Sequence, residues 1–415
     1  MLNVTHRLVV PDPTERRWLV TAAGELPRVD TADAHTADTE HLNAAVLDRW
    51  RMRCTVLRSL HHSDAIGGRI ERAHVVELQG TPSPQLLWCD DADAITDRLD
   101  RAALARWRAT RARAHSGGRD WTKRGWRAEV LRWIDAAVRR AGGDRVREVV
   151  QVRAWPSSCV LRVRTDVFDC YFKAVPTSLA VEAQVTRHLA ARLPEFVPRL
   201  LAVDLERRWL LTEAFAGEAL DAAEPDRWQR AARRYGDLQV AAVGHVDALK
   251  ALGCPRRTPR MLAAELPTLI DDAATLAELQ RRCTVLERSG LPFTLEHGDL
   301  WPGNVLADRV TSVVIDWEDA CIAPPLIGLA PLIVGLSANP AATANALERV
   351  QRAYLGAFTR YAPAARLEEL LRLVLPLAFC DMAVRYRRER PSVASQHPWM
   401  RDLVPEALAR ARALL

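Results

Sequence analysis

Across 415 residues there is no apolar run approaching the length needed to cross a bilayer, which excludes a helical membrane span. Internal repeats and low-complexity tracts are also missing, so the chain is not a repeat array. Its eight cysteines (Cys54, Cys89, Cys159, Cys170, Cys254, Cys283, Cys321 and Cys380) include no Cys-x-x-Cys pair. That argues against a zinc site and a disulfide framework, and leaves them as small buried apolar residues. Lysine is scarce: among 58 basic residues only Lys123, Lys173 and Lys250 are lysines, so each asks for a reason. The start, Met1-Leu2-Asn3-Val4-Thr5-His6, has neither the basic flank nor the apolar stretch of a signal peptide, and the expected compartment is the cytoplasm, with no membrane partner.

What is present is a globular composition, 49% hydrophobic and 27% charged, in a chain long enough for two or three domains. The net charge of +6 is unevenly spread: residues 101–143 carry 12 basic and 3 acidic groups, whereas residues 216–415 balance at 24 of each. Residues 1–100 read as a small α/β domain, with strand-like runs at Leu8-Val9-Val10, Trp18-Leu19-Val20, Cys54 to Leu57 and His74 to Leu78, and a helix near Leu42 to Met52. Residues 101–143 read as a basic, tryptophan-rich helical connector. Trp126, Val130, Trp133, Ile134 and Ala137 share one helical face, and Gly142-Gly143 ends the helix. Tryptophans at that spacing form a packing face, so nucleic acid is not an expected partner. Residues 144–215 read as a five-stranded antiparallel sheet with one helix, and residues 216–415 as a helical region interrupted near 293–316.

The interruption carries the chemistry. It reads Leu295-Glu296-His297-Gly298-Asp299-Leu300-Trp301-Pro302-Gly303-Asn304-Val305-Leu306, then a turn at Asp308-Arg309, then Ser312-Val313-Val314-Ile315-Asp316-Trp317-Glu318. An acid, an amide five residues on and a second acid ending an apolar strand are the parts phosphoryl transfer requires: one carboxylate to take the acceptor's hydroxyl proton, the other two groups to hold magnesium against nucleotide phosphates. Pro302 and Gly303 turn the loop back so that Asp299 and Asn304 can face one site.

This stretch resembles the catalytic and metal-binding loops of the aminoglycoside phosphotransferase family, protein-kinase-like small-molecule kinases. His297-Gly298-Asp299-Leu300-Trp301 followed by Gly303-Asn304 is also similar to fructosamine kinases, and choline kinases are relatives. The resemblance implies an α+β, bilobal protein-kinase-like fold, with an antiparallel-sheet lobe and a helical lobe, preceded here by the small α/β domain. It implies ATP and Mg2+ as cofactors, Asp299 as catalytic base, His297 bracing the loop, and Asn304 and Asp316 as metal ligands. Such a lobe needs a lysine on its third strand and an acid on the following helix, and Lys173 and Glu182 stand there. Glu213 and Phe215 mark the hinge where backbone groups would hold adenine. Ser157 and Ser158 lie in the phosphate-covering turn, which has no glycine.

The expected function is transfer of the γ-phosphoryl group of ATP to a hydroxyl, less readily an amine, of a small metabolite. The alternative is a nucleotide-binding pseudokinase without turnover. Where the family usually has Asp-Leu-Ala after the second metal ligand, this chain has Gly328-Leu329-Ala330. The neutral charge balance of residues 216–415 does not favour a polycationic acceptor and leaves hydroxylated metabolites or natural-product intermediates open. Helices between Ala341 and Arg390 are expected to wall the acceptor cleft, with most of their arginines on solvated faces. Residues 1–100 are similar in element order to Nudix domains. The metal-binding glutamates of those hydrolases are absent, Ala44-Ala45-Val46-Leu47-Asp48-Arg49-Trp50 standing in their place, so either a catalytically silent relative or an unrelated small α/β domain fits.

Overall fold

Period-two alternation builds the first sheet. In the computed structural model, which describes residues 3–32, 35, 37–63, 69–111, 119–389 and 402–415, β1 (Asn3–Val9), β3 (Arg28–Ala32), β4 (Arg53–His62) and β5 (Arg69–Gln79) are ordered β3-β1-β5-β4. A separate pair joins β2 (Trp18–Thr21) to β6 (Leu86–Cys89). Strand β1 runs parallel to β5 and antiparallel to β3, and β4 pairs antiparallel with β5. Neighbouring side chains point to opposite faces. Leu8, Val56 and Val76 therefore pack with Leu42, Val46 and Trp50 of α1 (Glu40–Trp50), while Val9, Leu57 and Val75 pack with Leu104 and Trp107 of α2 (Arg98–Arg111). The buried guanidinium of Arg7 ties sheet to helix, reaching Asp100 at 2.5 Å and Asp97 at 3.0 Å.

The second sheet follows α3 (Trp126–Arg140): β7 (Val146–Ala154), β8 (Cys159–Thr165), β9 (Asp169–Ala174), β10 (Leu200–Asp204) and β11 (Trp209–Glu213), ordered β10-β11-β9-β8-β7. Cys159, Leu161 and Val163 of β8 and Cys170, Phe172 and Ala174 of β9 face α3, whose Trp126, Val130, Ile134 and Ala137 close that core. The tryptophan face expected from the sequence is thus a sheet cover. Trp126, Trp133, Phe172 and Trp209 meet edge to face or tilted, with ring centroids 5.6 to 6.5 Å apart. Helix α3 ends at Gly142, in the left-handed region at φ +86°, with Gly143 N–H donating to Val138 O at 2.9 Å. Trp126→Ala is expected to lower unfolding free energy by about 3–5 kcal/mol, read as an earlier transition in urea unfolding followed by fluorescence.

The outer edge of β7 is occupied by the N-terminal region. Ala154 N–H donates to Ala37 O at 2.9 Å and Thr39 N–H to Val152 O at 3.1 Å. The buried Gln151 amide clips the backbone of Val56 on both sides, accepting from its N–H at 2.8 Å and donating to its carbonyl at 2.9 Å. The connector expected over 101–143 is therefore divided in its packing, α2 joining the first core and α3 the second; residues 112–118 lie outside the described residues.

By its contacts the chain forms two units. One holds the two sheets and their helices, up to Ser178 with Leu201–Thr212. The other holds Leu179–Leu200 and, among the described residues, the chain from Glu213 onward. The helix expected to complete the second sheet, α4 (Val181–Arg192), thus belongs to the other unit, where Val185 and Leu189 join its core. That unit continues with β12 (Glu218–Ala219), α5 (Pro225–Ala242), α6 (Val246–Ala251), α7 (Pro259–Glu265) and α8 (Ala273–Glu287). Then come the short strands β13 (Thr294–Glu296), β14 (Val305–Ala307), β15 (Ser312–Val314) and β16 (Cys321–Ala323), and α9 (Leu329–Ser337), α10 (Ala344–Leu355), α11 (Ala364–Glu389) and α12 (Leu403–Ala413). Seven of the eight cysteines are buried, Cys89 being half-buried, and no helix among the described residues is long and apolar enough to cross a membrane.

Candidate active site

Strand β13 delivers the loop. It pairs antiparallel with β16, Glu296 opposite Cys321, and the chain then turns at Gly298, where φ is +83° and a Cβ would sit 2.1 Å from Asp319 O. Only glycine fits. His297 is fully buried beside Trp317, ring centroids 4.8 Å apart. It donates from Nε2 to Ile315 O at 2.8 Å, which leaves Nδ1 to accept the Asp299 N–H at 3.3 Å. Asn304 Nδ2 donates to Asp299 O at 2.9 Å, and Ile315 N–H donates to Asn304 O at 3.0 Å. Three of the expected site residues are thereby laced to the backbone one step before the fourth, Asp316. That aspartate sits in the left-handed region at φ +68°, a conformation that costs a side-chain-bearing residue about 1–2 kcal/mol and collects at functional sites.

Around Asp316 the acid count exceeds expectation. Carboxylate oxygens of Glu182, Asp316 and Glu318 lie within 4.8 Å of one another, the one such group of three potential ligands among the described residues. Glu182, near the start of α4, is buried at 2% exposure. The donor set is wholly oxygen, three carboxylates. Hard divalent cations such as Mg2+ take such donors, so these residues fit the implied ion. Glu318 had no assigned role in the sequence. Its one signal was its place two residues after Asp316, and the convergence arises because α4 packs on the turn at 317–319.

Lys173 on β9 stands opposite Val160 and on the face away from Phe172 and α3, half-buried. The turn from Trp155 to Ser158 is closed by Trp155 N–H to Ser158 O at 2.8 Å and Ser158 N–H to Trp155 O at 3.2 Å, which uses the Ser158 amide. Ser158 is 3% exposed, so Ser157 is the more accessible of the pair. At the expected hinge, Glu213 takes a hydrogen bond from Arg199 and Phe215 is half-buried against Gly217.

Behind the loop lies a buried polar network. Glu296, 1% exposed, accepts from Tyr235 Oη at 2.9 Å and from Gly328 N–H at 3.3 Å, and Tyr235 Oη accepts the His297 N–H at 3.1 Å. Burial pushes the Glu296 carboxyl up to about 7, opposed by hydrogen bonds from Gln239, Tyr235 and Gly328 and reinforced by Asp381. The fold holds a proton that the unfolded chain releases near 4.5, so the stabilisation is complete below 4.5 and is lost as pH rises through about 7. Melting curves of wild type and Glu296→Gln, from below 4.5 to above 7, are expected to diverge with rising pH, the wild type falling away.

Arg385 departs from the solvated-face expectation. It is 4% exposed, with Asp381 at 3.2 Å and Asp319 at 3.6 Å, and the Asp299 charge adds to the pull that raises its pKa. Asp381 also lies 3.8 Å from Arg257. Phe379 is a core residue at 3% exposure, and Arg390 lies outside the described residues.

A comparison with curated proteins finds no match. Among solved structures the chain is similar to a macrolide 2'-phosphotransferase from Brachybacterium faecium at 19% identity, covering 68% of this chain and 98% of that one with a TM-score of 0.46. It is similar to a choline/ethanolamine kinase family protein from Mesorhizobium loti at 18% identity, with 68% and 94% coverage and a TM-score of 0.46. An ethanolamine kinase of Plasmodium vivax shares 13% identity, with 64% and 82% coverage and a TM-score of 0.47. The model of the phosphotransferase enzyme family matches residues 137–365, more than half of the chain, spanning both the second sheet and the loop from His297 to Glu318. This chain therefore belongs to the phosphotransferase enzyme family: it has that family's protein-kinase-like α+β fold and is a small-molecule kinase.

Proposed function

We propose that the protein transfers the γ-phosphoryl group of ATP to a hydroxyl of a small molecule, with Asp299 as base and magnesium held by Asn304 and Asp316. Glu318 and Glu182 complete the oxygen donors. When bound, the ion neutralises charge on the nucleotide phosphates. Asp299 orients the acceptor and takes its proton as the hydroxyl oxygen bonds to the γ-phosphorus and the bond to the β–γ bridging oxygen breaks. Lys173 supplies an ammonium for the α and β phosphates, and Glu182 is its proposed partner as well as an acid of the cluster. Ser157 and Ser158 offer donors over the phosphates, and the backbone near Glu213 and Phe215 holds the adenine.

The observation that supports this reading is the lacing of residues 297, 299, 304 and 315 by four hydrogen bonds, which ties the backbone of Asp299 and Asn304 to the residue preceding Asp316 of the acidic cluster. A preorganised loop of this kind is what phosphoryl transfer uses in place of covalent chemistry. The charge balance of residues 216–415 favours an acceptor that is not a polycation. The test is incubation with ATP, Mg2+ and a panel of hydroxylated metabolites, amino alcohols, macrolides and aminoglycosides, with products read by mass spectrometry. A gain of one phosphoryl group on a hydroxyl is expected. Nucleotide-dependent thermal stabilisation with no product across the panel would favour the non-catalytic alternative.

A further inference from the structure

Gly328 begins α9 at φ −67° and ψ −15°, a right-handed conformation that any residue adopts. Backbone geometry does not call for glycine there. Space does: a Cβ on residue 328 would lie 2.2 Å from Glu296 Oε2 and 3.2 Å from Tyr235 Oη. The volume that a side chain at 328 would fill is taken by a carboxylate arriving from β13. Burying a carboxyl group is costly unless it is hydrogen-bonded. Glu296 has partners on both oxygens, Gly328 N–H at Oε1 and Tyr235 Oη at Oε2, and it immediately precedes His297.

We propose that Glu296 is a positioning residue for phosphoryl transfer, holding the catalytic loop through Tyr235 and His297 from the place that Gly328 leaves open. The connection is continuous. Glu296 takes the Tyr235 hydroxyl hydrogen, which turns the Oη lone pairs toward His297 N–H at 3.1 Å. His297 then fixes the Asp299 N–H through Nδ1 and the carbonyl before Asp316 through Nε2. Tyr235 is fixed in turn by α5, whose Gln239 donates to Leu295 O at 3.1 Å and accepts from Tyr354 Oη at 2.6 Å. Loss of the Glu296 carboxylate frees the tyrosine hydroxyl to rotate and loosens the loop without touching nucleotide or acceptor. The proposal rests on the reading of Asp299 as base.

The test is a four-member cycle of wild type, Glu296→Ala, Gly328→Asp and the double variant, with Glu296→Gln as the conservative replacement and Asp299→Asn alongside. Glu296→Ala is expected to lower kcat by about 10²-fold, the scale of a misplacement near 1 Å, with the KM for ATP within about threefold. Glu296→Gln, which still accepts from Tyr235, keeps most of the activity. Gly328→Asp alone loses thermal stability, because its Cβ meets the carboxylate. The double variant returns a carboxylate from the opposite side and recovers kcat relative to Glu296→Ala. Amide hydrogen exchange at His297 and Asp299 supplies a readout independent of turnover, expected to be at least about tenfold faster in Glu296→Ala. Unchanged kcat or unchanged exchange in Glu296→Ala overturns the proposal, as does a folded double variant no better than Glu296→Ala. Wild-type turnover by Asp299→Asn instead overturns the base assignment, and exchange then decides the role of Glu296 by itself.

Discussion

Replacing Asp299 by asparagine is expected to lower kcat by about 10²–10⁴-fold, the usual contribution of a general base. The substitution keeps size and the backbone hydrogen bonds to His297 and Asn304, so the loop keeps its course. It removes the proposed acceptor for the hydroxyl proton. Nucleotide affinity, measured by calorimetry with ATP and Mg2+, is expected to stay within about threefold, because the binding contribution proposed for Lys173 and the acidic cluster is untouched. An Asp299→Asn enzyme as fast as wild type would show that the proton leaves by another route and would remove Asp299 from the mechanism.

Asp316→Asn acts on a different quantity. The cluster of Glu182, Asp316 and Glu318 concentrates negative charge that a bound divalent cation would relieve. Removing the charge of Asp316 is expected to weaken the ion and lower kcat by about 10³-fold, several kcal/mol of lost charge stabilisation. The diagnostic is the magnesium dependence. In wild type, Mg2+ added with ATP is expected to raise the melting temperature, and in Asp316→Asn the increment is expected to disappear at the same concentrations. Without the metal, Asp316→Asn is expected to be as stable as wild type or more so, because two clustered carboxylates repel less than three and because asparagine, like aspartate, tolerates the left-handed region at φ +68°. A wild-type increment retained by Asp316→Asn would move the ion to other ligands.

The candidate loop was legible in the sequence because its logic is local: His297, Asp299 and Asn304 lie within eight residues, and glycine and proline dictate the turn. The second sheet was legible for a similar reason, since short alternating runs between turn residues pair with their neighbours. What escaped depends on distant packing. Strand β3, Arg28–Ala32, carries too little apolar signal to be seen without the β1 edge it joins. Glu318 and Glu182 converge only because α4 docks on the 317–319 turn. Arg385 sits in a run of arginines that charge alone assigns to solvent, yet Asp319 and Asp381 draw it inside. Glu296 reads as an ordinary polar residue until the emptiness of position 328 is known, and the missing acid at Gly328 is then half of a pair. The tryptophans of α3 announced a buried face through their spacing, and only the structure identified the sheet beneath it.

The hydrogen bonds that Ala37, Thr39 and Gln151 make along β7 bear on how the enzyme can be dissected. A fragment trimmed to the matched residues 137–365 would bare the flank of that strand as a row of unsatisfied amides and carbonyls, a template on which further copies could add and polymerise. It would also lose Trp121, Trp126, Val130 and Ile134 from beneath the sheet. Insolubility of such a fragment would report the missing sheath over β7 together with the loss of α11 and α12 from the second unit's core, and leave catalysis by the intact enzyme untouched.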